Sequence, residues 1–540
     1  MKKLLPAYIL SFVMAFMLYV YEPLTMYGTN VNDFWFDLYI LLPQIIIAFL
    51  LLFFLLSGIF TLIYFANKKW SKKINFYNIS IIFVFVLFIC FYIQGNYLVS
   101  GLPPLDGTNI EWGSYKTQNL ISIIMCSVVT LGVVLSCIKF KMENVINVSK
   151  YISLAVMVML ITSLVSTCLT YNLVNPKRGI LPTMDNYNRV STDTNFFIFL
   201  LDAVDSVDFD DVMSNDKDFK NTFQDFTYFK DTTSVYGYTR DSVPQVVSGK
   251  VNENKTSFAT YSTEALDNSL LLNTLKEYGY EMNIYDDELI WNSDKISEID
   301  NLVPANRNIN TWEYIKNQSK YVLFKYLPFP LKKYSQIEHM YFNNSQIKSD
   351  NYYTWSNTFN NSHLKNDEIE FTDNKYFNFL HVEGAHVPFG QTKDLTSSTG
   401  AGYKDKIAAS LTLINTYINR LKENGVYDNS VIIILSDHGY VKKNASIGRQ
   451  NPILFIKGVN EHHDMIRSNI PVSYLDLDSA YMDLLDGKSS TELFSDIPLK
   501  RERRFLWYEY TKENHMVEYV QTGKAWDEKT LKKTGREFNR

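Results

Sequence analysis

Three short stretches of this 540-residue chain put side chains capable of polar chemistry where hydrophobic runs stop. "FIFLLD" ends on Asp202, and "VIIILSDHG" leads into Asp437 and His438. The third, "SVYGYTRDSVPQVVSGK" at 234–250, offers four hydroxyls besides its tyrosines: Ser234, Thr239, Ser242 and Ser248. Carboxylates and an imidazole are donors for a divalent cation of hard or borderline character. A hydroxyl is a weak nucleophile near neutral pH unless a base or a bound metal favours its alkoxide. Residue types alone leave each Asp open as a helix cap and each hydroxyl open as a turn former near Gly237 and Pro244. Adjacent residues on a regular strand face opposite ways, so Asp437 and His438 can share an ion only if the chain turns there. Gly439 makes that turn easy.

The elements that must position these groups alternate between strand and helix. "FFIFLLDA" is a continuous apolar run suited to a strand buried on both faces of a parallel sheet. "STEALDNSLLLNTLKEYGYEMNIYDD" predicts a helix ending at Gly279 and then a strand, and "NKYFNFLHVEG" predicts another strand. "YKDKIAASLTLINTYINRLKENGVYDNS" predicts an amphipathic helix stopped near Gly425, leading into "VIIILSDHG", with "NPILFIKG" as one more short strand. Such alternation predicts an α/β sandwich around a mainly parallel sheet, with its site beyond the strands' carboxyl ends. Ser242 reads as the cap of the helix that follows it, and residues 300–370, rich in Asn, Tyr and Lys, as an insertion over the site.

The N-terminal third is a different material. Apolar stretches occupy roughly 4–22, 38–66, 77–98, 119–139 and 151–171, and about 20 such residues cross a hydrocarbon core of ~30 Å. Bases gather at Lys2 and Lys3, at Lys68, Lys69, Lys72 and Lys73, and at Lys139, Lys141 and Lys150, whereas residues 23–37 have none. That asymmetry predicts a multi-pass plasma-membrane protein with a cytoplasmic N-terminus and an extracytoplasmic C-terminal part. The expected organisation is a five-span membrane domain at 1–171, a connector at 172–194 and a catalytic domain at 195–540. The net charge of −5 gives no case for nucleic acid. All four cysteines (Cys90, Cys126, Cys137, Cys168) fall in apolar stretches, so the outer part has no thiol for a disulfide, a metal or a nucleophile. Oligomeric state is not legible.

Taken together, these features resemble the alkaline-phosphatase-like superfamily, and within it the membrane-anchored phosphoethanolamine transferases and lipoteichoic acid synthases. Those families join five N-terminal spans to an extracellular sulfatase-like α/β sandwich. The likeness rests on an acidic residue after the first strand, a Thr shortly before Ser-x-Pro ("TRDSVP") and a late "SDHG". It implies Thr239 as nucleophile and Asp202, Thr239, Asp437 and His438 as ligands of one divalent ion, Zn²⁺ or Mn²⁺. Asp202 stands where those relatives often have Glu. His386, in "FLHVEGAHVPFG", matches a His that binds phosphoryl oxygens or protonates the leaving group; His381 reads as a core or supporting residue. Many relatives carry a further His after "SDHG"; here that stretch holds Lys442, Lys443 and Arg449 instead, while His462 and His463 have no recognisable partner spacing.

The implied reaction moves phosphoglycerol or phosphoethanolamine from a membrane phospholipid to an envelope glycan or lipid acceptor through a phospho-threonine. A phosphodiesterase, a sulfatase and an inactive membrane scaffold are the alternatives. A sulfatase's aldehyde forms on a Cys or Ser in Cys/Ser-x-Pro-x-Arg; the outer part has no Cys, and "SVPQV" lacks the arginine.

Overall fold

The computed structural model describes residues 3–30, 38–70, 75–99, 110, 112–171, 180–286, 289–291, 293–304, 309–337, 351–441, 447–509 and 515–539. It divides into two compact units, Met1–Arg178 with Ala305–Ile347, and Gly179–Pro304 with Lys348–Arg540.

The first unit contains α1 (Leu5–Thr29), α2 (Leu38–Lys69), α3 (Phe76–Asn96), α4 (Lys116–Phe140) and α5 (Met142–Tyr171), each long and apolar enough to cross a membrane. The last two meet at a single residue, Lys141, with φ 65°, so Lys139 and Lys150 lie inside helices, where a loop was expected. Lys2, Lys72 and Lys73, used for the orientation, lie outside the described residues. Residues 305–347 were expected to lie over the site as part of the 300–370 insertion. They cluster instead with the apolar helices, through Thr311–Tyr326 packed on α2 and α3.

The second unit is built on a seven-stranded sheet. Its strands are β1 (Asn195–Leu201), β2 (Thr227–Phe229), β3 (Glu281–Tyr285), β4 (Tyr376–Val382), β5 (Ser430–Leu435), β6 (Leu454–Lys457) and β7 (Ile466–Ser468), in the order β7-β2-β6-β5-β1-β4-β3. Strands β5, β1, β4 and β3 run parallel. β6 alone runs the other way, antiparallel to both β5 and β2, while β2 and β7 share the direction of the other four, so the mainly parallel sheet that was expected carries one reversed strand. The reversal has a local cause: the described residues between β5 and β6, 436–441 and 447–453, include no crossover helix.

All seven residues of β1 are buried. Phe196, Ile198 and Leu200 enter one core, and Phe197, Phe199 and Leu201 the other, so the strand's period of two feeds both faces. Each such side chain contributes about 1.5–3 kcal/mol on leaving water, which fixes β1 at the centre. Helices Thr239–Ser248 and Leu477–Leu485 cover one face, and Tyr403–Glu423 covers the other. Part of the expected connector belongs to this unit: Ile180–Pro182 pairs with Leu302–Pro304, and Arg189–Ser191 with Glu370–Thr372. Buried Ile180, Leu181 and Val190 are the reason. A C-terminal antiparallel sheet, Arg503–Tyr508, His515–Gln521 and Leu531–Asn539, completes the unit.

Candidate active site

Three strand ends converge. β1 hands over to Asp202, and β5, its parallel neighbour in register, hands over to Asp437 and His438. The chain turns sharply after β5: the Gly439 N–H donates to the Arg449 carbonyl at 2.8 Å, and a Cβ on Gly439 would stand 2.9 Å from Asn451 Oδ1. Asp437 and His438 therefore escape strand alternation and face one point.

Single donor atoms from Asp202, Asp437 and His438, all buried, lie within 4.8 Å of one another. Asp437 Oδ1 accepts the N–H groups of Ala203 and His438, at 2.9 and 2.8 Å. Its Oδ2 is buried without a hydrogen-bond partner, as is Asp202 Oδ1. His438 Nδ1 donates to the Gly439 carbonyl at 2.7 Å, which leaves the Nε2 lone pair facing Asp437 Oδ2 at 3.2 Å. Burial pushes this imidazole below its usual range; Asp437 opposes that, and the nearby Arg449 charge adds to it. Electron-rich atoms thus face each other with no proton between them. Such an arrangement is costly unless a cation sits among them, and the donors present fit a divalent metal ion.

Thr239 joins this point. Its Oγ1 lies 3.2 Å from Asp202 Oδ2 and 3.4 Å from His438 Nε2. It opens the helix Thr239–Ser248, whose start at Thr239 corrects the expected cap role of Ser242. Ser242 is inside the helix and donates back to the Tyr236 carbonyl at 3.4 Å. The helix begins at Thr239, so its positive dipole end lies at that residue, a setting that favours an anion. The C-terminal sheet fixes the turn before it: Leu506 N donates to Val235 O at 2.7 Å, and Trp507 packs so closely on Gly237 that a Cβ would come within 2.9 Å.

His386 follows β4. Its ring lies against Trp355, centroids 5.2 Å apart. Its charge acts on Asp202: burial pushes the Asp202 carboxyl up, but His386, His381 and His438 together outweigh that and hold it well below the usual carboxylate range. Two residues that sequence reasoning passed over hold this loop. Gly384 has φ 53°, and a Cβ there would come 2.3 Å from Asp202 N and 2.4 Å from Asp202 O. Lys406, buried on the helix Tyr403–Glu423, bonds Glu383 Oε1 at 2.6 Å and the Pro388 carbonyl at 3.0 Å. The positive φ shows no sequence signature beyond the glycine itself, and a lysine on a charged helix reads as solvated.

His381 lies beside the grouped donors. Its Nε2 lies 3.7 Å from Asp202 Oδ2 and its Nδ1 3.2 Å from Asp286 Oδ1. Burial works against its charge, but Asp286 and Asp202 drive the imidazole well above its usual range. Arg449 also reaches the site, donating to the Gly237 carbonyl at 3.2 Å with its guanidinium over Tyr238. Lys442 and Lys443 lie outside the described residues. His462 and His463 pair with Asp428 and Glu461, and neither is among the grouped donors.

Among solved structures, the chain is similar to Ps i-CgsB in complex with k-i-k-neocarrahexaose at 13% identity, covering 61% of this chain and 82% of that one, with a TM-score of 0.41. It is also similar to a protein in the alkaline phosphatase superfamily from Vibrio parahaemolyticus (13% identity, 67% and 81% covered, TM-score 0.34). A third is the phosphonate monoester hydrolase SpPMH from Silicibacter pomeroyi (12% identity, 63% and 88% covered, TM-score 0.34). No curated protein matches the chain in sequence. Residues 195–470, just over half of the chain, match the Sulfatase family, from the strand that ends at Asp202 to beyond the strand pair that carries Asp437 and His438; the chain belongs to that family.

Proposed function

We propose that this chain is a metal-dependent transferase that moves phosphoglycerol or phosphoethanolamine from a membrane phospholipid to an envelope glycan or lipid acceptor. Thr239 carries the group between donor and acceptor. The observation that supports this most directly is the placement of the Thr239 hydroxyl against Asp202 and His438, beside two carboxylate oxygens that lack partners. A divalent ion, Zn²⁺ or Mn²⁺, held by Asp202, Asp437, His438 and Thr239 would favour the threonine alkoxide and offset charge on a phosphoryl oxygen.

The residues then divide the work. Thr239 Oγ1, its proton already lost to solvent, attacks phosphorus; the bond from phosphorus to the diacylglycerol oxygen breaks as the Thr239 ester forms. His386 supplies the proton that diacylglycerol takes as it leaves. In the second half an acceptor hydroxyl attacks the same phosphorus, His386 takes its proton, and Thr239 is released. Arg449 and the N-terminal N–H groups of the Thr239 helix stabilise negative charge on the phosphoryl oxygens. Helices able to cross a membrane keep the site close to a lipid donor, which raises the donor's effective concentration. All four cysteines lie in α3, α4 and α5, and "SVPQV" lacks the motif's arginine, which together argue against an aldehyde-type sulfatase.

Mass spectrometry of the Thr239 peptide after exposure to membranes is the decisive measurement. A phosphoglycerol or phosphoethanolamine adduct on Thr239, lost in Thr239→Ala, is expected. Labelled phospholipid whose headgroup reaches only water would establish a hydrolase instead. Retained headgroup transfer in Thr239→Ala would refute the mechanism.

A further inference from the structure

Residues 305–347 interrupt the sequence of the catalytic unit yet fold with α1–α5. Their contacts fix the level at which they do so. Glu22, fully buried where the first apolar run ends, accepts Lys325 Nζ at 2.7 and 2.8 Å and the Tyr326 hydroxyl at 2.7 Å. The Tyr326 ring covers Gly95, one residue from the end of α3, so closely that a Cβ there would come within 2.4 Å. Phe329 N donates to Ser122 Oγ, in the second turn of α4, at 3.0 Å. The last third of α1, which holds Glu22, the end of α3 and the start of α4 lie toward the same side of an alternating bundle. The segment is therefore seated at one rim of the apolar helices.

Its outward surface is unlike that of a water-facing insertion. Of the ten large hydrophobic side chains exposed after residue 180, among the described residues, four (Trp312, Leu323, Leu331 and Tyr334) fall within this one short segment. The other six are scattered singly, as on any soluble surface. Trp312 is 69% exposed and Tyr334 77% exposed. Trp312 and Leu323 share a stripe of the helix Thr311–Tyr326, eleven residues and about three turns apart, with exposed Lys316 between them. Lys333 lies over the Tyr334 ring at 5.0 Å. Trp, Tyr and Lys at a span end are the side chains that settle at the level of lipid headgroups.

We propose that residues 309–337 form a membrane-interface anchor, with Trp312, Leu323, Leu331 and Tyr334 immersed in the headgroup layer of a phospholipid bilayer and held at that depth by Glu22, Lys325 and Tyr326. The proposal rests on α1–α5 crossing a bilayer and is independent of the reaction assigned to Thr239.

Tryptophan quenching in the full-length protein tests it. The protein and its Trp312→Phe variant are placed in phosphatidylglycerol–phosphatidylcholine nanodiscs, with ordinary lipid or with lipid brominated near the headgroup end of the acyl chains. The difference emission between the two proteins reports Trp312 alone. Brominated lipid is expected to cut it by about half, because interfacial rings sit ~5–10 Å into the headgroup and acyl boundary, while aqueous iodide leaves it nearly unchanged. Strong iodide quenching without bromine quenching would put Trp312 in water and overturn the proposal; quenching by neither would put it against protein, with the same result. Trp312→Phe/Tyr334→Trp supplies a second reporter, which must behave in the same way.

Discussion

Gly384 offers a sharp test of how the site is held, because three glycines of the same unit separate its two constraints. Gly384 combines φ 53° with a Cβ position 2.3 Å from the Asp202 backbone nitrogen. Gly425 has φ 71° and open space around its Cβ position, and Gly390 has open space without a positive φ. Alanine at Gly390 should therefore be silent. At Gly425 it costs only the left-handed backbone, about 1–2 kcal/mol. At Gly384 the same cost is joined by an overlap with backbone that cannot rotate away, which forces a shift worth about 1–3 kcal/mol by analogy with overpacked cores. Gly384→Ala should thus lose about 2–5 kcal/mol in total, or several degrees of melting temperature at about 2 °C per kcal/mol for a unit of this size. What yields is the end of β1, so Asp202 moves relative to Asp437, and metal content should fall in Gly384→Ala while Gly425→Ala keeps it. Thermal unfolding followed by intrinsic fluorescence, with elemental analysis of the same samples, reads both quantities. Equal destabilisation and equal metal in Gly384→Ala and Gly425→Ala would show that the Gly384 contact does not position the carboxylate.

Asp437→Asn keeps the two N–H contacts of Oδ1 but turns Oδ2 into a donor, so chelation, expected to lower wild-type stability by about 2.7 kcal/mol if the ion is at a hundred times its Kd, should leave the variant unmoved in the same melt. His386→Asn should retain metal yet slow adduct formation from phospholipid by about 10²–10⁴-fold. It should slow a p-nitrophenyl phosphodiester far less, since that leaving group needs no proton; equal loss on both substrates would refute the acid role. Lys406→Met strands Glu383 and the carbonyl of Pro388, at a cost near the low end of the about 3–5 kcal/mol seen when buried pairs are broken, because the Glu383 side chain keeps 19% exposure. The double variant with Glu383→Gln should recover part of that loss in denaturant unfolding, and no recovery would mean the lysine acts through packing alone.

What the sequence made legible follows from which interactions are local. Unbroken apolar runs such as 196–201 and 431–435 declare strands buried on both faces, and a charged residue just beyond such a run has few places to be except a sheet's carboxyl edge. Apolar stretches long enough to span are equally plain. Strand direction was not legible: "LFIK" has the composition of any short buried strand, and its antiparallel pairing depends on the loop joining it to β5. The last strand, Leu531–Asn539, is almost wholly exposed, so no hydrophobic alternation marks it. The membership of 305–347 was hidden for a different reason. A helix carrying Lys316, Lys320 and Lys325 reads as soluble until Glu22 is seen to take the last of these charges inside the bundle.

The same distinction explains why the residues proposed to react drew attention in the sequence while those around them did not. The proposed nucleophile and metal donors must present particular atoms, so chemistry restricts their residue types strongly, and Asp202, Thr239, Asp437 and His438 stand out. Their supports have to deliver only a position. A glycine that lets one backbone approach another, a lysine bridging two turns and a tryptophan stacked on a histidine meet that demand in a form that sequence shares with countless ordinary residues. His381 belongs to both groups: its type suggested chemistry, and it lies between Asp202 and Asp286, where its charge helps to hold the Asp202 carboxyl down. Electrostatic support of this kind depends on distances of 3–4 Å between residues far apart in the chain. Only the assembled sheet, with β1 between β4 and β5, brings them together.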